Sequence, residues 1–147
     1  MSNKEEKAVQ IFSQSYNCAQ AVFGAMCEDD GLDQDTAFKL ATGFGGGLRC
    51  GELCGTVSGA IMAIGLKCGY CIESDMEQRA FCNAKTYEFI ERFRAEKGSI
   101  ICRDQLGVDV YCPQDHSKPE VREAHKTVCS GLVASSVRIL ESMDFAK

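Results

Sequence analysis

A glycine-rich stretch, Gly43–Gly69, constrains the fold of this chain more than any other feature. It contains nine of the fourteen glycines and three of the ten cysteines. Glycine loses the most conformational freedom in a helix, so the five glycines within 43–51 predict a loop. From Gly55 onward the residues are small and apolar, which predicts a buried helix. The stretch therefore delivers Cys54 to the start of that helix.

The predicted position of Cys54 indicates a specific chemistry for its sulfur. The backbone dipoles of a helix sum to a partial positive charge at the N-terminus, which favours the thiolate over the thiol. The thiolate is the form of cysteine that attacks disulfides and binds metals. We therefore expect Cys54 to be a reactive or metal-ligating residue.

Hydrophobic periodicity predicts helices along the rest of the chain and no strand. The fold class is predicted to be all-α, a single-domain bundle (1–147) of about five to six helices with a glycine-rich loop before a buried central helix. The helices are expected over 5–13, 18–29, 32–44 and 54–67, then from the capping box at 74–77 to Gly98, and from about 117 to 143, with a short helical turn around Cys102.

Local signals place several helix ends. Asn17 is predicted to cap the second helix, and Ser74 and Ser117 each begin a capping-box pattern. Gly98 is expected to end the long helix that follows Ser74. The inner side of that long helix is expected to carry Met76, Ala80, Ala84, Tyr87 and Ile90, flanked by Cys82, Phe89 and Phe93.

Composition excludes several classes of function. The net charge is −5 and there is no basic run, so a nucleic-acid partner is not expected. The longest apolar run, 60–66, is far shorter than the roughly 20 residues that span a bilayer, so we expect no stable membrane insertion. We expect no secretion signal and a cytoplasmic location, where ten cysteines favour metal or redox chemistry over a disulfide framework.

Three patterns have a spacing that is compatible with metal binding, and the two that consist of cysteine pairs are also compatible with disulfide formation. They are C-x-x-x-C at Cys50 and Cys54, C-x-x-C at Cys68 and Cys71, and the i, i+4 pair of His125 and Cys129. In each case the alternative is a buried cysteine that acts as a small hydrophobic residue. The glycine-rich stretch matches neither a dinucleotide-binding nor a P-loop pattern.

Four segments of the chain resemble the protein family named for its C_GCAxxG_C_C cysteine signature, which is described as redox-active. The segments are Y-N-C-A-Q-A-V at 16–22, G-F-G-G-G-L-R-C-G-E-L-C-G-T-V-S-G-A-I-M-A-I-G-L at 43–66, I-C-R-D-Q-L-G at 101–107 and V-C-S-G-L-V at 128–133. They occur in the family's order, and the resemblance extends over nearly the whole chain.

The resemblance implies four signature cysteines, namely Cys18, Cys54, Cys102 and Cys129, as redox thiols or as ligands of an iron–sulfur cluster or other metal ion. In the cluster version, the loop glycines would supply backbone N–H groups to the sulfurs, and the candidate glycines are Gly45, Gly46, Gly47 and Gly55. Thr56 stands where the family motif has alanine, with a hydroxyl that could bond a sulfur or cap the helix. Without C-x-x-C-H, no covalent haem is expected.

Three functions follow as hypotheses. The first is a redox or electron-transfer protein in which Cys54 attacks as the thiolate, Cys50 or Cys18 resolves the disulfide, and a redox partner of unknown identity completes the cycle. The second is a non-enzymatic zinc or metal-handling site, with His125 as an additional ligand. The third is a helical interaction module with buried thiols. The close-packing glycines Gly55 and Gly59 would serve an internal core or a homodimer interface.

Overall fold

A computed structural model describes residues 1–147 and contains seven helices and no β-strand. The all-α prediction is confirmed, and the additional helix is the short α6 around Cys102. The helices are α1 (Asn3–Ser13), α2 (Cys18–Met26), α3 (Gln34–Ala41), α4 (Gly55–Cys68), α5 (Met76–Lys97), α6 (Cys102–Leu106), and a last helix made of α7 (Pro119–Ala124), a π-helical turn (His125–Cys129) and α8 (Ser130–Ser142). None of the helices combines the length and the apolar composition needed to cross a membrane.

Helix ends follow the predicted capping chemistry in part. Asn17 caps α2 by accepting a hydrogen bond from the backbone N–H of Gln20 at 2.8 Å. Helix α5 ends at Gly98, where φ is 90°. Its cap, however, is Asp75 rather than Ser74. The predicted box at Ser117 is also wrong, because Ser117 closes a short 3₁₀ turn, Pro113–Ser117, and α7 begins with Pro119.

Helices α2 and α4 cross at the glycines of the Gly55-x-x-x-Gly59 pattern. A Cβ atom built on Gly59 would lie 2.7 Å from the carbonyl oxygen of Ala19, and one built on Gly55 would lie 2.3 Å from Sγ of Cys18. Side chains at these positions would hold the two helices apart. The two glycines therefore serve an internal contact between α2 and α4, and this contact brings Cys18 next to the start of α4.

The buried face of α5 differs from the predicted one. Phe89 and Phe93 are fully buried, whereas Met76 is 58% exposed and Tyr87 is 67% exposed. Phe89 and Phe93 belong to a core cluster of 26 buried residues that also draws on α1, α2, α3, α4 and α8. Apolar residues occur around most of α5, so periodicity alone predicted the wrong buried face. Packing against the neighbouring helices buries a narrower face that contains Phe89 and Phe93.

The loop before α4 contains one turn of left-handed helix. Gly46, Gly47, Leu48 and Arg49 all have φ between 59° and 63°. A left-handed residue with a Cβ costs roughly 1–2 kcal/mol, so Leu48 and Arg49 are strained. The backbone N–H of Glu52 donates to the carbonyl oxygen of Gly47 at 2.9 Å and closes the turn. The glycine-rich loop is therefore an ordered element.

Candidate functional site

The four signature cysteines come from four different elements and are all buried. Cys18 is the first residue of α2, Cys54 immediately precedes α4, Cys102 is the first residue of α6, and Cys129 ends the π-helical turn. They lie close enough to interact electrostatically, since ionised neighbours among them raise the pKa of Cys18, Cys102 and Cys129 beyond the larger effect of burial. The structure therefore gathers them into one region.

A single antiparallel bridge positions Cys54 relative to Cys102. Leu53 pairs with Ile101. The backbone N–H of Cys54 donates to the Ile100 carbonyl at 2.7 Å, and the N–H of Cys102 donates to the carbonyl of the residue before Leu53 at 2.6 Å. Leu53 and Ile101 lie opposite each other and therefore point to the same face of the bridge. Since successive residues of an extended segment point to opposite faces, the residues that follow them, Cys54 and Cys102, both point to the other face.

Two of the four predicted glycines contact signature cysteines directly. A Cβ atom on Gly47 would lie 2.6 Å from Cβ of Cys102, and one on Gly55 would meet Sγ of Cys18 at 2.3 Å. Any larger residue would displace one of these cysteines. The role of Gly47 and Gly55 in the site is therefore to permit close approach of the backbone, and binding of a cofactor by them stays a prediction.

The other two predicted glycines contact polar side chains nearby. A Cβ atom on Gly45 would lie 2.4 Å from Cβ of Asn17, the residue that caps α2. One on Gly46 would lie 2.4 Å from Cε1 of His116. The loop thus packs its backbone against the beginning of α2 and against an imidazole ring that the sequence analysis did not include in the site.

Thr56 provides a hydrogen-bond partner for Cys54. Its Oγ1 lies 3.2 Å from Sγ of Cys54, and both side chains are buried. Burial nevertheless raises the pKa of Cys54, while hydrogen bonds from Thr56 and from the backbone of Val57 act in the opposite direction. The expected thiolate is therefore wrong for the resting protein, because loss of water around the sulfur outweighs the helix N-terminus.

The other signature cysteines are also protonated at neutral pH. Burial, followed by the charge of Cys54, raises the pKa of Cys18 to about 11. The pKa of Cys102 rises to about 12, again mainly through burial. Burial raises the pKa of Cys129 further still. In the reduced protein the site is therefore a set of four neutral thiols.

A cavity of about 590 Å³ adjoins this set. Cys18 is the signature cysteine on its wall. Cavities of this size bind small molecules in many proteins. The lining residues are Val9, Phe12, Ser13, Ser15, Tyr16, Asn17, Cys18, Gly46, Arg49, His116, His125, Lys126 and Ser130.

Two histidines on the cavity wall and Cys129 form a hydrogen-bond chain, His116–His125–Cys129. Nδ1 of His116 lies 3.2 Å from Nε2 of His125, and Nδ1 of His125 lies 3.4 Å from Sγ of Cys129. Burial lowers the pKa of both imidazoles, and positive charge from Arg49 lowers it further. Both are therefore neutral at pH 7, so each ring has one nitrogen that donates and one that accepts, and the three groups can form a continuous line of hydrogen bonds from Cys129 to His116.

The π-helical turn His125–Cys129 holds two of these three groups, His125 and Cys129, within one widened helical turn. Such turns occur frequently at functional sites. The spacing of His125 and Cys129 was visible in the sequence, but His116, from a separate 3₁₀ turn, was not associated with them. Only a contact between distant segments reveals it.

The model of one family, described as "Putative redox-active protein (C_GCAxxG_C_C)", matches residues 16–143. The chain belongs to this family. The matched region includes all four signature cysteines and the cavity-lining histidines. Searches among curated proteins and among solved structures found no match.

The six cysteines outside the C_GCAxxG_C_C signature have varied surroundings. Cys68 is buried, while Cys71, its partner in the C-x-x-C pattern, is exposed. Burial and a hydrogen bond with Cys82 raise the pKa of Cys68 to about 12. Cys50 is half-buried and donates to the carbonyl oxygen of Gly47 at 3.6 Å. Cys27 lies in the core, where it packs as a small apolar residue.

The donor geometry does not fit a metal ion or cluster in this arrangement. No three histidine, cysteine, aspartate or glutamate side chains converge in a way that would hold a metal. Metal binding by these cysteines would require the side chains to rearrange and to lose their protons to the metal.

Proposed function

We propose that this chain is a redox protein in which Cys18 and Cys54 cycle between two thiols and a disulfide. The observation that carries the proposal is the position of Cys18, which lines the cavity on one side and contacts the start of α4 on the other. Cys54 lies immediately before that start and is absent from the cavity wall. An incoming oxidant therefore meets Cys18 first.

The reaction consists of two thiol–disulfide exchanges. In the first, Cys18 loses its proton and attacks one sulfur of a disulfide substrate, which releases one substrate thiolate. In the second, Cys54 attacks Sγ of Cys18 in the mixed disulfide and releases the other thiolate. The two thiol protons end on the two substrate thiolates, so the protein is oxidised by two electrons and the substrate disulfide is reduced to two thiols.

This assignment reverses the roles that the sequence suggested, in which Cys54 attacks and Cys18 resolves. The neutral imidazoles of His116 and His125 line the same cavity as Cys18, so they are available to accept the proton that its activation releases. Thr56 remains bonded to Cys54, where it can donate to the sulfur as it becomes a thiolate.

Oxidation of the reduced protein tests the proposal. We expect a Cys18–Cys54 disulfide in redox buffers between about −120 and −300 mV, mapped by mass spectrometry after alkylation of the remaining thiols. C18S and C54S should each abolish it. C27S, which removes an equally buried thiol outside the site, should leave it unchanged.

Two results would contradict the thiol cycle. One is a wild-type protein whose signature cysteines stay reduced across that range. The other is stoichiometric iron with sulfide, or zinc, in protein purified without oxygen and lost from C18S and C54S. The second result would make the signature cysteines metal ligands, as the cluster and zinc hypotheses predict.

The pH dependence of Cys18 reactivity provides a second prediction. Because the pKa of Cys18 is raised to about 11, its thiolate fraction should increase about tenfold per pH unit below that value. We expect the rate at which iodoacetamide alkylates Cys18 to increase about tenfold for each pH unit between pH 7 and 9.5. The exposed Cys71 serves as an internal reference in the same digest. A rate that levels off near pH 8 would show a thiolate stabilised by the helix N-terminus instead.

A further inference from the structure

The cavity that Cys18 lines has positively charged side chains on its wall and no carboxylate. Its charged residues are Arg49 and Lys126, and His116 and His125 add two imidazoles. Neither Arg49 nor Lys126 makes an ion pair with an acidic side chain. The chain as a whole carries a net charge of −5. The charged groups on the cavity wall are therefore positive, whereas the net charge of the molecule is negative.

The backbone that carries Arg49 is strained. Arg49 has φ 62° and follows Leu48 at φ 59°, within the left-handed turn. Each of these residues costs roughly 1–2 kcal/mol relative to an ordinary conformation. Such strain persists where the surroundings enforce it, and it concentrates at functional sites. Here the packing of Gly46 against the ring of His116 fixes the turn at the edge of the cavity.

The charge of Arg49 acts across the cavity. It contributes to the lowered pKa of His116, where burial is the larger cause. It also contributes at His125, after burial and the charge of His116. The same positive charge would attract an anion that binds among these groups.

We propose that the substrate of this site is a small disulfide that carries carboxylate groups, bound by Arg49 and Lys126 while Cys18 attacks its sulfur. This inference rests on the thiol–disulfide function proposed above and names the substrate class. A guanidinium presents paired donors that match a carboxylate, and Lys126 supplies a second charge. A cavity of about 590 Å³ accommodates a molecule of this size.

Three small disulfides that differ mainly in charge test the proposal. They are dithiodiglycolate, which is anionic, 2-hydroxyethyl disulfide, which is neutral, and cystamine, which is cationic. The rate of Cys18–Cys54 formation with each is divided by the rate of the same disulfide with free cysteine, which removes differences in intrinsic reactivity. We expect the corrected rate to be roughly tenfold higher for the anionic than for the cationic disulfide, and the difference to shrink in about 1 M salt.

Matched variants separate the cavity charges from the net charge. In R49Q/K126Q the preference for the anionic disulfide should disappear. K39Q/R79Q removes the same total charge from exposed residues outside the cavity, neither of them ion-paired, and should retain the preference. Equal loss of preference in both double variants would overturn the assignment to Arg49 and Lys126.

The outcomes also distinguish this inference from the function on which it rests. Equal corrected rates for all three disulfides in the wild type, with normal Cys18–Cys54 formation, would overturn the anionic substrate class alone. Absence of the disulfide with every probe would overturn the thiol cycle itself. A preference for cystamine would contradict the sign of the cavity field.

Discussion

Replacing Gly51 with alanine is expected to destabilise the protein by about 3–5 kcal/mol. Gly51 has φ 74°, and a Cβ atom there would lie 2.0 Å from the carbonyl oxygen of Val110. The substitution therefore adds the cost of a left-handed alanine to a backbone clash that no side-chain rotation relieves. Val110 packs in the small buried cluster with Cys102 and Cys129, so the displacement reaches the site as well.

Urea denaturation of G51A measures this loss, and G107A is the matched control. Gly107 also has a positive φ, 71°, but a Cβ atom there would have no neighbour within 4 Å. G107A should cost only the backbone strain of a left-handed alanine, roughly 1–2 kcal/mol. The difference between the two variants isolates the contact with Val110. Equal destabilisation by both substitutions would show that the loop around Gly51 relaxes freely. We also expect less Cys18–Cys54 disulfide to form in G51A, because the destabilised loop holds the site.

The second large effect expected is unfolding by mild alkali. Burial is the main cause that raises the pKa of Cys18 to about 11 and of Cys102 to about 12, and it also raises the pKa of Cys54 and Cys129, against an ordinary value of 9.0. A raised folded-state pKa stabilises the protein fully below the unfolded-state pKa, and this stability is lost as pH rises toward the folded-state value. The window of loss therefore opens near pH 9 and extends to about 12.

Within that window each thiol costs up to about 1.4 kcal/mol per pH unit. We expect the free energy of unfolding of the reduced protein to be constant between pH 7 and 8 and to fall by about 4 kcal/mol by pH 10 through Cys18, Cys102 and Cys129 together, with Cys54 adding to the fall. Urea titrations across this range measure the fall. C102A removes one titrating group and should reduce the fall by about 1.4 kcal/mol at pH 10, whatever its own effect on stability at pH 7. An unchanged slope in C102A would contradict the assignment.

Much of the fold was accessible from the sequence because its signals are local. The glycines at 43–51 predicted the loop, and small apolar residues after Gly55 predicted a buried helix. Asn17 and Gly98 act at helix ends through their own side chain or their own backbone freedom. These effects depend on neighbours within a few positions, so they can be read along the chain.

The face of α5 could not be read in this way. Met76 and Tyr87 satisfied the helical period but are exposed, while Phe89 and Phe93 fill the core. When apolar residues occur around a whole helix, burial depends on where its neighbours lie. The positions of the neighbouring helices cannot be read from the residues of α5 alone.

The signature cysteines were identified from the sequence, but their surroundings were not. Residue type and spacing indicated sulfur chemistry at Cys54, and the helix dipole predicted a thiolate. Tertiary packing instead surrounded the sulfur with protein, and desolvation raised its pKa. Packing also joined His116 to His125 and placed Cys18, rather than Cys54, on the cavity wall.

The sequence by itself determined the helical class and the glycine loop, because propensity and capping are properties of neighbouring residues, and its resemblance to the C_GCAxxG_C_C family identified the four signature cysteines. Tertiary structure alone decided which sulfur faces the cavity, which thiols stay protonated and which charges surround them. Burial and electrostatic interaction depend on distances between segments far apart in the chain, such as Arg49, His116 and Cys18, and those distances exist only once the helices pack.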